Sequence, residues 1–341
     1  MKYALIDMGS NSIRLTVYDL KKDSFQVLFK EKIMAGLAGY VEHGRLTQDG
    51  IDCACQNLSE FQQTVDVLEI PHLDVFATAS LRNISNTLQA VEQIYQKTGI
   101  KVEVLTGEME AACGFFGAVC DVSAEKGLFI DIGGASTELA VFNRLQLQET
   151  ISVPVGSLRL YRDCVKKILP GKESRQRIDK TIYTVFEEDI LDGIQPQAHM
   201  VCVGGTARAC LRLCNKLFGL AENNRTFTNQ QLHGLAECLC KCDKDASDFI
   251  LRYAPERIHT MIPGLMILQY LVERFQVEDI TVSHYGVREG YIQQKIQPTM
   301  SETVSRVSVS DRSRPVLSCN CLNGRFRILI EKFLNKFQKS Y

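Results

Sequence analysis

Asp131, Gly133, Gly134, Ser136 and Glu138 crowd into one short stretch of a 341-residue chain, and together they have the parts of a phosphate site. Glycines strip a turn of side chains, so backbone N–H groups can come close to an anion. The Ser136 and Thr137 hydroxyls add donors, and carboxylates such as Asp131 and Glu138 can hold a divalent cation against phosphate oxygens. A lone Gly-rich turn is most often simply a hairpin. This chain carries a second set, Asp7, Gly9, Ser10, Asn11 and Ser12. Asp7 and Asp131, Gly9 and Gly133, and Ser12 and Ser136 share one offset of 124 residues (131 − 7 for the aspartates).

Each set needs strands to present it. Gly127 to Phe142, GLFIDIGGASTELAVF, reads as an apolar strand, a tight turn and a second strand, and Tyr3 to Asp19, YALIDMGSNSIRLTVYD, repeats the plan. Two equivalent hairpins predict two homologous halves with the phosphate between them. Residues 25–34 alternate as a third strand. Leu46 to Ile70 reads as a helix capped by Thr47, with Leu58, Phe61, Val65 and Leu68 at helical spacing. His72 to Thr78 is a buried strand followed by a helix over Ser80 to Thr98, which places Arg82 after a strand end, where α/β ligand sites lie. A strand over Lys101 to Leu105 leads to a helix capped by Thr106 that carries Glu108 and Glu110 in its first turns. Carboxylates there also suit the helix dipole.

Further on, Leu145 to Val153 reads as a strand and Gly156 opens a helix. Lys172 to Asp192 is a charged helix, by default a solvated face but conceivably a basic wall beside a cleft. Met200 to Gly204 is a strand running into Gly204-Gly205-Thr206, which offers N–H groups and a hydroxyl at a positive helix end. Helices over 228–241 and 244–251, a loop with Pro255 and Pro263, a helix over 264–275, a strand over Glu278 to Ser283 and a helix opened by Gly286 follow.

Composition narrows the class. Hydrophobic residues make up 45% of the chain, which is globular, and its length points to two domains. No apolar run reaches the ~18–20 residues that span a bilayer, so no integral membrane segment is expected. The start reads directly as a strand without a signal-peptide pattern. The formal net charge of −1 gives no general attraction for a polyanion, so no nucleic-acid partner is expected and any phosphate-binding cations must be clustered. The 13 cysteines show no C-x-x-C zinc spacing, and reduced thiols in a cytoplasmic protein are expected; Cys238 and Cys242 would share a helical face and could form a soft-metal pair. From Gln297 to Ser318 the composition turns to Ser, Thr and Arg, and beyond it Phe326, Ile330, Phe333 and Phe337 keep helical spacing among basic residues.

The wording of the two turns, DMGSNS and DIGGASTE, resembles the phosphate motifs of the actin-like/Hsp70/sugar-kinase superfamily, and within it the exopolyphosphatase/guanosine pentaphosphate phosphohydrolase (Ppx/GppA) family. The match continues through ATASLRN (77–83), TGEMEA (106–111), PVGSLRL (154–160), VGGTARA (203–209), MIPGL (261–265) and SHYGVREG (283–290). The resemblance implies two α/β lobes of ribonuclease-H type with mixed sheets and an active-site cleft between them. Its boundaries fall at 1–122 for the first lobe and 123–298 for the second, with 299–341 a linker and a basic amphipathic helix. The last helix of lobe two is expected to cross back to lobe one. Longer family members continue with a helical HD-type domain, so a short-form member is expected.

The same resemblance makes Glu110 the general base and Glu138 a residue that positions water or metal. Asp7, Asp131 and Glu138 become ligands of Mg²⁺ or Mn²⁺. Ser10, Asn11, Ser12, Gly133, Gly134, Ser136, Gly205 and Thr206 become the phosphate cradle, helped by Arg82 and Arg288. Where some relatives carry a basic residue before Gly156 this chain has Pro154 and Val155, with Arg159 a substitute, and His284 stands where several carry an acid. The expected activity is removal of terminal phosphate from polyphosphate, a cytoplasmic reaction, with a homodimer allowed. Arg82, Arg159, the basic helix 172–180 and Arg208 are expected to form the polymer channel. The alternatives are hydrolysis of guanosine pentaphosphate to the tetraphosphate, a sugar kinase, or a non-enzymatic phosphate or nucleotide sensor.

Overall fold

A computed structural model of the chain describes residues 1–296, apart from 22, 23, 145, 187–190 and 192. The tail expected at 299–341 therefore lies outside the described residues. Among the described residues the first half contains β1 (Lys2–Met8), β2 (Ile13–Leu20), β3 (Phe25–Ile33), β4 (Val41–Glu42), β5 (Arg45–Leu46), α1 (Gln48–Val67), β6 (Leu73–Ala77), α2 (Ala79–Arg82), α3 (Thr87–Thr98), β7 (Val102–Val104) and α4 (Gly107–Ala118). The second contains β8 (Lys126–Ile132), β9 (Thr137–Asn143), β10 (Gln146–Val153), α5 (Ser157–Cys164), α6 (Lys172–Phe186), β11 (His199–Val203), α7 (Gly204–Leu217), β12 (Thr226–Thr228), α8 (Asn229–Leu239), α9 (Lys244–Tyr253), α10 (Met261–Arg274), β13 (Asp279–Val282) and α11 (Val287–Ile296).

The halves share a sheet plan. The first sheet runs β3-β2-β1-β6-β7 and the second β10-β9-β8-β11-β13-β12. In both, an antiparallel hairpin (β1 with β2, β8 with β9) supplies the central strand, and a parallel strand joins its other side (β6, β11). The central strands read as nearly unbroken apolar runs because helices cover both faces.

Covering one face of the first sheet, α1 and α3 bury Leu58, Phe61 and Ile94 against Ile6 and Leu15. On the other face Tyr291 and Ile292 of α11 meet Leu5, Tyr18 and Phe76. In the second sheet the corresponding inner face is taken by α4, whose Phe115 and Phe116 pack with Phe129, Phe142 and Val201. Chain order and packing thus diverge. The helix α4 follows the first sheet but covers the second, and α11 follows the second but covers the first, as expected for the returning helix. The two helices meet through glycines: a Cβ on Gly117 would strike the Gly286 carbonyl, and one on Gly290 the Cys113 carbonyl. The lobes are therefore joined by a close backbone crossing that a side chain would force apart.

Several local expectations change. The helix expected over 80–98 is broken after Arg82. Asn86 turns its side chain to Leu46, accepting from its N–H at 2.9 Å and donating to its carbonyl at 3.0 Å, and the Thr87 hydroxyl bonds the Leu81 carbonyl at 2.6 Å. Thr87 thus takes a carbonyl of the expected helix, while Asn86 ties the break to β5. Pro263 sits inside α10 rather than before it, in the first turn, where no N–H is needed. The short strands β4, β5 and β12 had no legible signal. Cys238 lies in α8, whereas Cys242 lies beyond its end with a left-handed φ of 53°, so the two do not share a helical face. The described cysteines are free, and no described helix is long and apolar enough to cross a membrane.

Candidate active site

The repeat seen in the sequence is a repeat of backbone hydrogen bonding. Gly9 N–H donates to the Ser12 carbonyl at 3.0 Å, and Gly133 N–H to the Ser136 carbonyl at 2.9 Å. Both turns sit at the carboxyl ends of central strands. The lobes bring them face to face, so that a Cβ on Gly134 would lie 3.6 Å from the Ser10 Cβ. Each turn is braced from behind. Gly36 and Ala38 donate to the Asn11 and Ser10 carbonyls at 3.0 and 2.9 Å, and Leu158 at the start of α5 donates to the Gly134 carbonyl at 2.9 Å. Rigid turns with outward N–H groups are preorganised for anions.

The cleft between the turns is lined by Asp7, Ser10, Asn11, Ser12 and Glu110 from one side and by Asp131, Gly133, Gly134, Ser136 and Gly205 from the other. Glu108 points to solvent at the helix end. Arg82 and Glu138 stand immediately behind the lining. From there Arg82 donates to Glu110 Oε2 at 2.6 Å, Glu138 Oε1 at 3.2 Å, the Ser152 hydroxyl at 3.3 Å and the Leu105 carbonyl at 3.2 Å. The Ser152 hydroxyl donates in turn to Glu138 Oε1 at 2.9 Å. Arg82 is thus a fork that holds two buried carboxylates in fixed positions.

Burial sets the protonation of these acids. It pushes the Glu110 carboxyl well above its usual range, the charge of Glu138 pushes the same way, and Arg82 opposes both. Burial likewise lifts Glu138 to about 7, against the hydrogen bond from Ser136 and with help from the charge of Asp131. Asp7 and Asp131 are also raised by burial, opposed chiefly by Arg288 and Arg208 respectively.

Three cations complete the walls, and a fourth acts on them. Arg14 and Lys32 come from the first lobe, and Arg257 from the short 3-10 turn Pro255–Arg257 before α10; all three line the cleft. Arg208, near the start of α7, feels the charges of Arg14, Asp131, Arg288 and Arg257. Burial depresses the pKa of each, Arg208 to about 10, and repulsion from Arg14 is the next cause for Lys32, Arg208 and Arg257. None of the four has a side-chain hydrogen bond or ion pair among the described residues. Asp7 and Asp131 offset part of this charge without pairing directly with any of the four, which leaves a crowded cationic wall suited to an anion with several charges.

Two other predicted residues are already committed. The Thr206 hydroxyl donates to the Ile132 carbonyl at 3.2 Å, which fixes the start of α7. Arg288 bonds the Thr16 hydroxyl at 2.9 Å and lies 3.8 Å from Asp7 Oδ2. The expected polymer channel is not assembled. Arg159 bonds the Pro154 carbonyl and pairs with Asp163 at 3.7 Å on the surface. Arg175 bonds the Pro170 carbonyl and the Cys242 sulfur, and Arg177 the Cys164 carbonyl at 2.8 Å, so helix α6 spends these cations on its own surroundings. His284 is exposed, with its backbone N–H on Asp121.

Arg14, Lys32, Arg257 and Ser152 were not identified from sequence. One signal was available: Arg14 is 124 residues before Glu138 (138 − 14), the same repeat offset, and occupies the same place opposite the strand aspartate. Among the described residues no group of three or more His, Cys, Asp or Glu forms a ready metal cage. Mg²⁺ commonly keeps its waters and takes only one or two carboxylates plus substrate phosphates. Asp7 and Asp131, one from each lobe, fit that demand. Gly204 keeps the space beside Asp131 Oδ1 clear, since a Cβ there would strike it.

Two lobes with equivalent sheets, exchanged inner helices and facing phosphate turns define the actin-like class of folds. The Ppx/GppA phosphatase family model matches residues 16–298, and the chain belongs to that family. A guanosine-5'-triphosphate,3'-diphosphate pyrophosphatase of Vibrio parahaemolyticus is 28% identical over 325 residues, 93% of this chain and 64% of the relative. The chain thus spans less than two thirds of that relative's length. Among solved structures, an exopolyphosphatase from Cytophaga hutchinsonii superposes with a TM-score of 0.76 at 22% identity, over 87% of this chain and 98% of the other. The Ppx/GppA family member of Aquifex aeolicus gives 0.72 at 23% identity, over 88% and 98%.

Proposed function

We propose that this chain hydrolyses the terminal phosphoanhydride of linear polyphosphate. The observation that supports it best is the set Arg14, Lys32 and Arg257, cations with no direct ion pair on the walls of a cleft that also presents Glu110, with Arg208 close enough to act on their charge. The terminal phosphate rests against the N–H groups and hydroxyls of the two turns, between Ser10 and Gly134. A water attacks the terminal phosphorus in line; the new P–O bond forms as the anhydride P–O bond breaks, and the water's proton passes to Glu110. Arg82 aims Glu110, and Glu138 with Ser152 holds Arg82. The cations meet the charge that develops on the departing chain. Asp7 and Asp131 would hold Mg²⁺ or Mn²⁺, which supplies further charge neutralisation at the phosphate oxygens.

A second reading is removal of the terminal phosphate of guanosine pentaphosphate at the same site, favoured by the activity for which the Vibrio relative is named. Phosphate release from long-chain polyphosphate, guanosine pentaphosphate and ATP, measured side by side on the purified chain, tests the assignment. The highest kcat/KM is expected on polyphosphate. A higher value on the guanosine nucleotide transfers the assignment to the second reading, and release from none of them refutes hydrolysis.

The pH dependence has a definite sign. A base must be unprotonated to accept the water's proton, and Glu110 and Glu138 both hold protons to higher pH than ordinary carboxyls, Glu138 to about 7. The kcat/KM profile should therefore rise through neutral pH. Stability runs the other way. A carboxyl whose folded pKa is raised gives a contribution that is complete below its unfolded pKa and lost as pH rises through the folded value. For Glu138 that window closes at about 7. A rate profile flat across neutral pH would contradict the roles given to these acids.

A further inference from the structure

The edge strand β3 carries Lys30, Glu31 and Lys32 in succession. Side chains alternate across a strand, so the two lysines share one face and Glu31 takes the other. Lys32 pairs in register with Arg14 and Lys30 with Thr16, which puts both lysines on the face that carries Arg14 and the Thr16–Arg288 bond. That is the cleft face. At about 3.4 Å per residue the lysines stand roughly 7 Å apart along the strand. Ile33 follows Lys32 and pairs with Ile13, just after the first phosphate turn, so Lys32 is the inner cation and Lys30 the outer one. Across the cleft, Arg208 of α7 is close enough to act on the charge of both.

We propose that Lys30 and Lys32, with Arg14 beside them and Arg208 opposite, form a track that carries the distal part of a linear polyphosphate out of the cleft along β3. The inference rests on the hydrolytic reading above and adds to it the residues that set chain-length preference. Both lysines are solvent-accessible and have no hydrogen bond or ion pair among the described residues. The nearby carboxylates, Glu289 beside Lys30 and Glu256 beside Lys32, act on them only from beyond ion-pair distance and hydrogen-bond or pair elsewhere. Glu289 is held by the Tyr18 hydroxyl at 3.0 Å and by the Gly286 N–H at 2.9 Å, and Glu256 faces Arg212 at 3.6 Å. A short substrate such as tripolyphosphate ends near the turns, whereas a long chain must leave the cleft, and β3 offers it successive positive charges in the outward direction.

The test uses the full chain and compares long-chain polyphosphate with tripolyphosphate for Lys30→Ala, Lys32→Ala, the double variant and the corresponding arginine variants. The ratio of kcat/KM, long over short, should fall several-fold in Lys30→Ala and recover with arginine, whereas Lys32→Ala, which removes a cation of the cleft wall, should also lower the rate on tripolyphosphate. The salt dependence of long-chain binding should lose roughly 0.7 from its log–log slope per lysine removed, by analogy with single-stranded polyanions. A purely structural role would lower the melting temperature and leave ratio and slope alone. An unchanged ratio and slope in a variant set whose parent splits polyphosphate overturns the track while leaving hydrolysis standing. If the parent splits none of the substrates, hydrolysis fails, and anisotropy of labelled long-chain polyphosphate reads the track directly: unchanged affinity and salt slope in the double variant overturn it.

Discussion

Glu110→Gln should retain substrate binding and lose phosphate release by ~10²–10⁴, the usual cost of removing a general base. The substitution keeps the side-chain volume in a position only 8% exposed, so no cavity opens. It also strands no charge, because Arg82 still has Glu138 at 3.2 Å. That choice of residue matters. Arg82→Ala would leave Glu110 and Glu138 buried against each other without their shared cation, and breaking a buried pair in this way costs ~3–5 kcal/mol. Any loss of rate there would be mixed with loss of fold. With Glu110→Gln the two separate cleanly: a melting temperature near the parent's, a dissociation constant for polyphosphate within a few-fold of it, and a collapsed kcat. A variant that turns over at close to the parental rate would remove Glu110 from the mechanism.

The two glycine turns were legible because their requirements are local. Close approach of an anion to backbone N–H groups demands glycine and small hydroxyl residues in sequence, and the offset from Asp7 to Asp131 repeats that demand twice. The strands around them were legible for the same reason, through apolar runs and alternation. Which sheet a helix covers is another matter. Nothing in the order of residues says that α4, following β7, packs Phe115 and Phe116 on the opposite lobe, since its apolar residues would suit either sheet. Charge shows the same limit. The basic run at 172–180 was visible, but its direction was not, and Arg175 and Arg177 turn to the carbonyls of Pro170 and Cys164. Arg257 reaches the cleft from a single 3-10 turn too short to show a pattern, pressed against Gly205 because glycine leaves the room. Arg14 lay within reach of the repeat and was missed because an arginine stands where the second copy has Glu138.

Chelation with EDTA should silence phosphate release, and Mg²⁺ or Mn²⁺ should restore it. The reason is a balance of charges around one polyanion. Asp7 and Asp131 both line the cleft, and ionised they would repel the phosphates of the proposed substrate. Arg14, Arg208 and Arg257 offset part of that repulsion, but burial and mutual proximity already weaken their own charged forms, Arg208 to about 10. If those arginines were sufficient, a metal would be dispensable and activity would survive the chelator. The two aspartates should also differ. Asp7 lies 3.8 Å from Arg288, a partner that remains when metal is absent, whereas Asp131 has no ion pair among the described residues. Asp131→Asn should therefore raise the metal concentration for half-maximal rate by about ten- to a hundredfold, the scale seen when a metal's support is removed, and by more than Asp7→Asn. Mn²⁺ binding followed by electron paramagnetic resonance reads the same order without turnover, in the presence of tripolyphosphate and the Glu110→Gln background. Full activity in metal-free buffer, or equal Mn²⁺ affinity in parent and Asp131→Asn, would assign the whole of the charge neutralisation to the arginines instead.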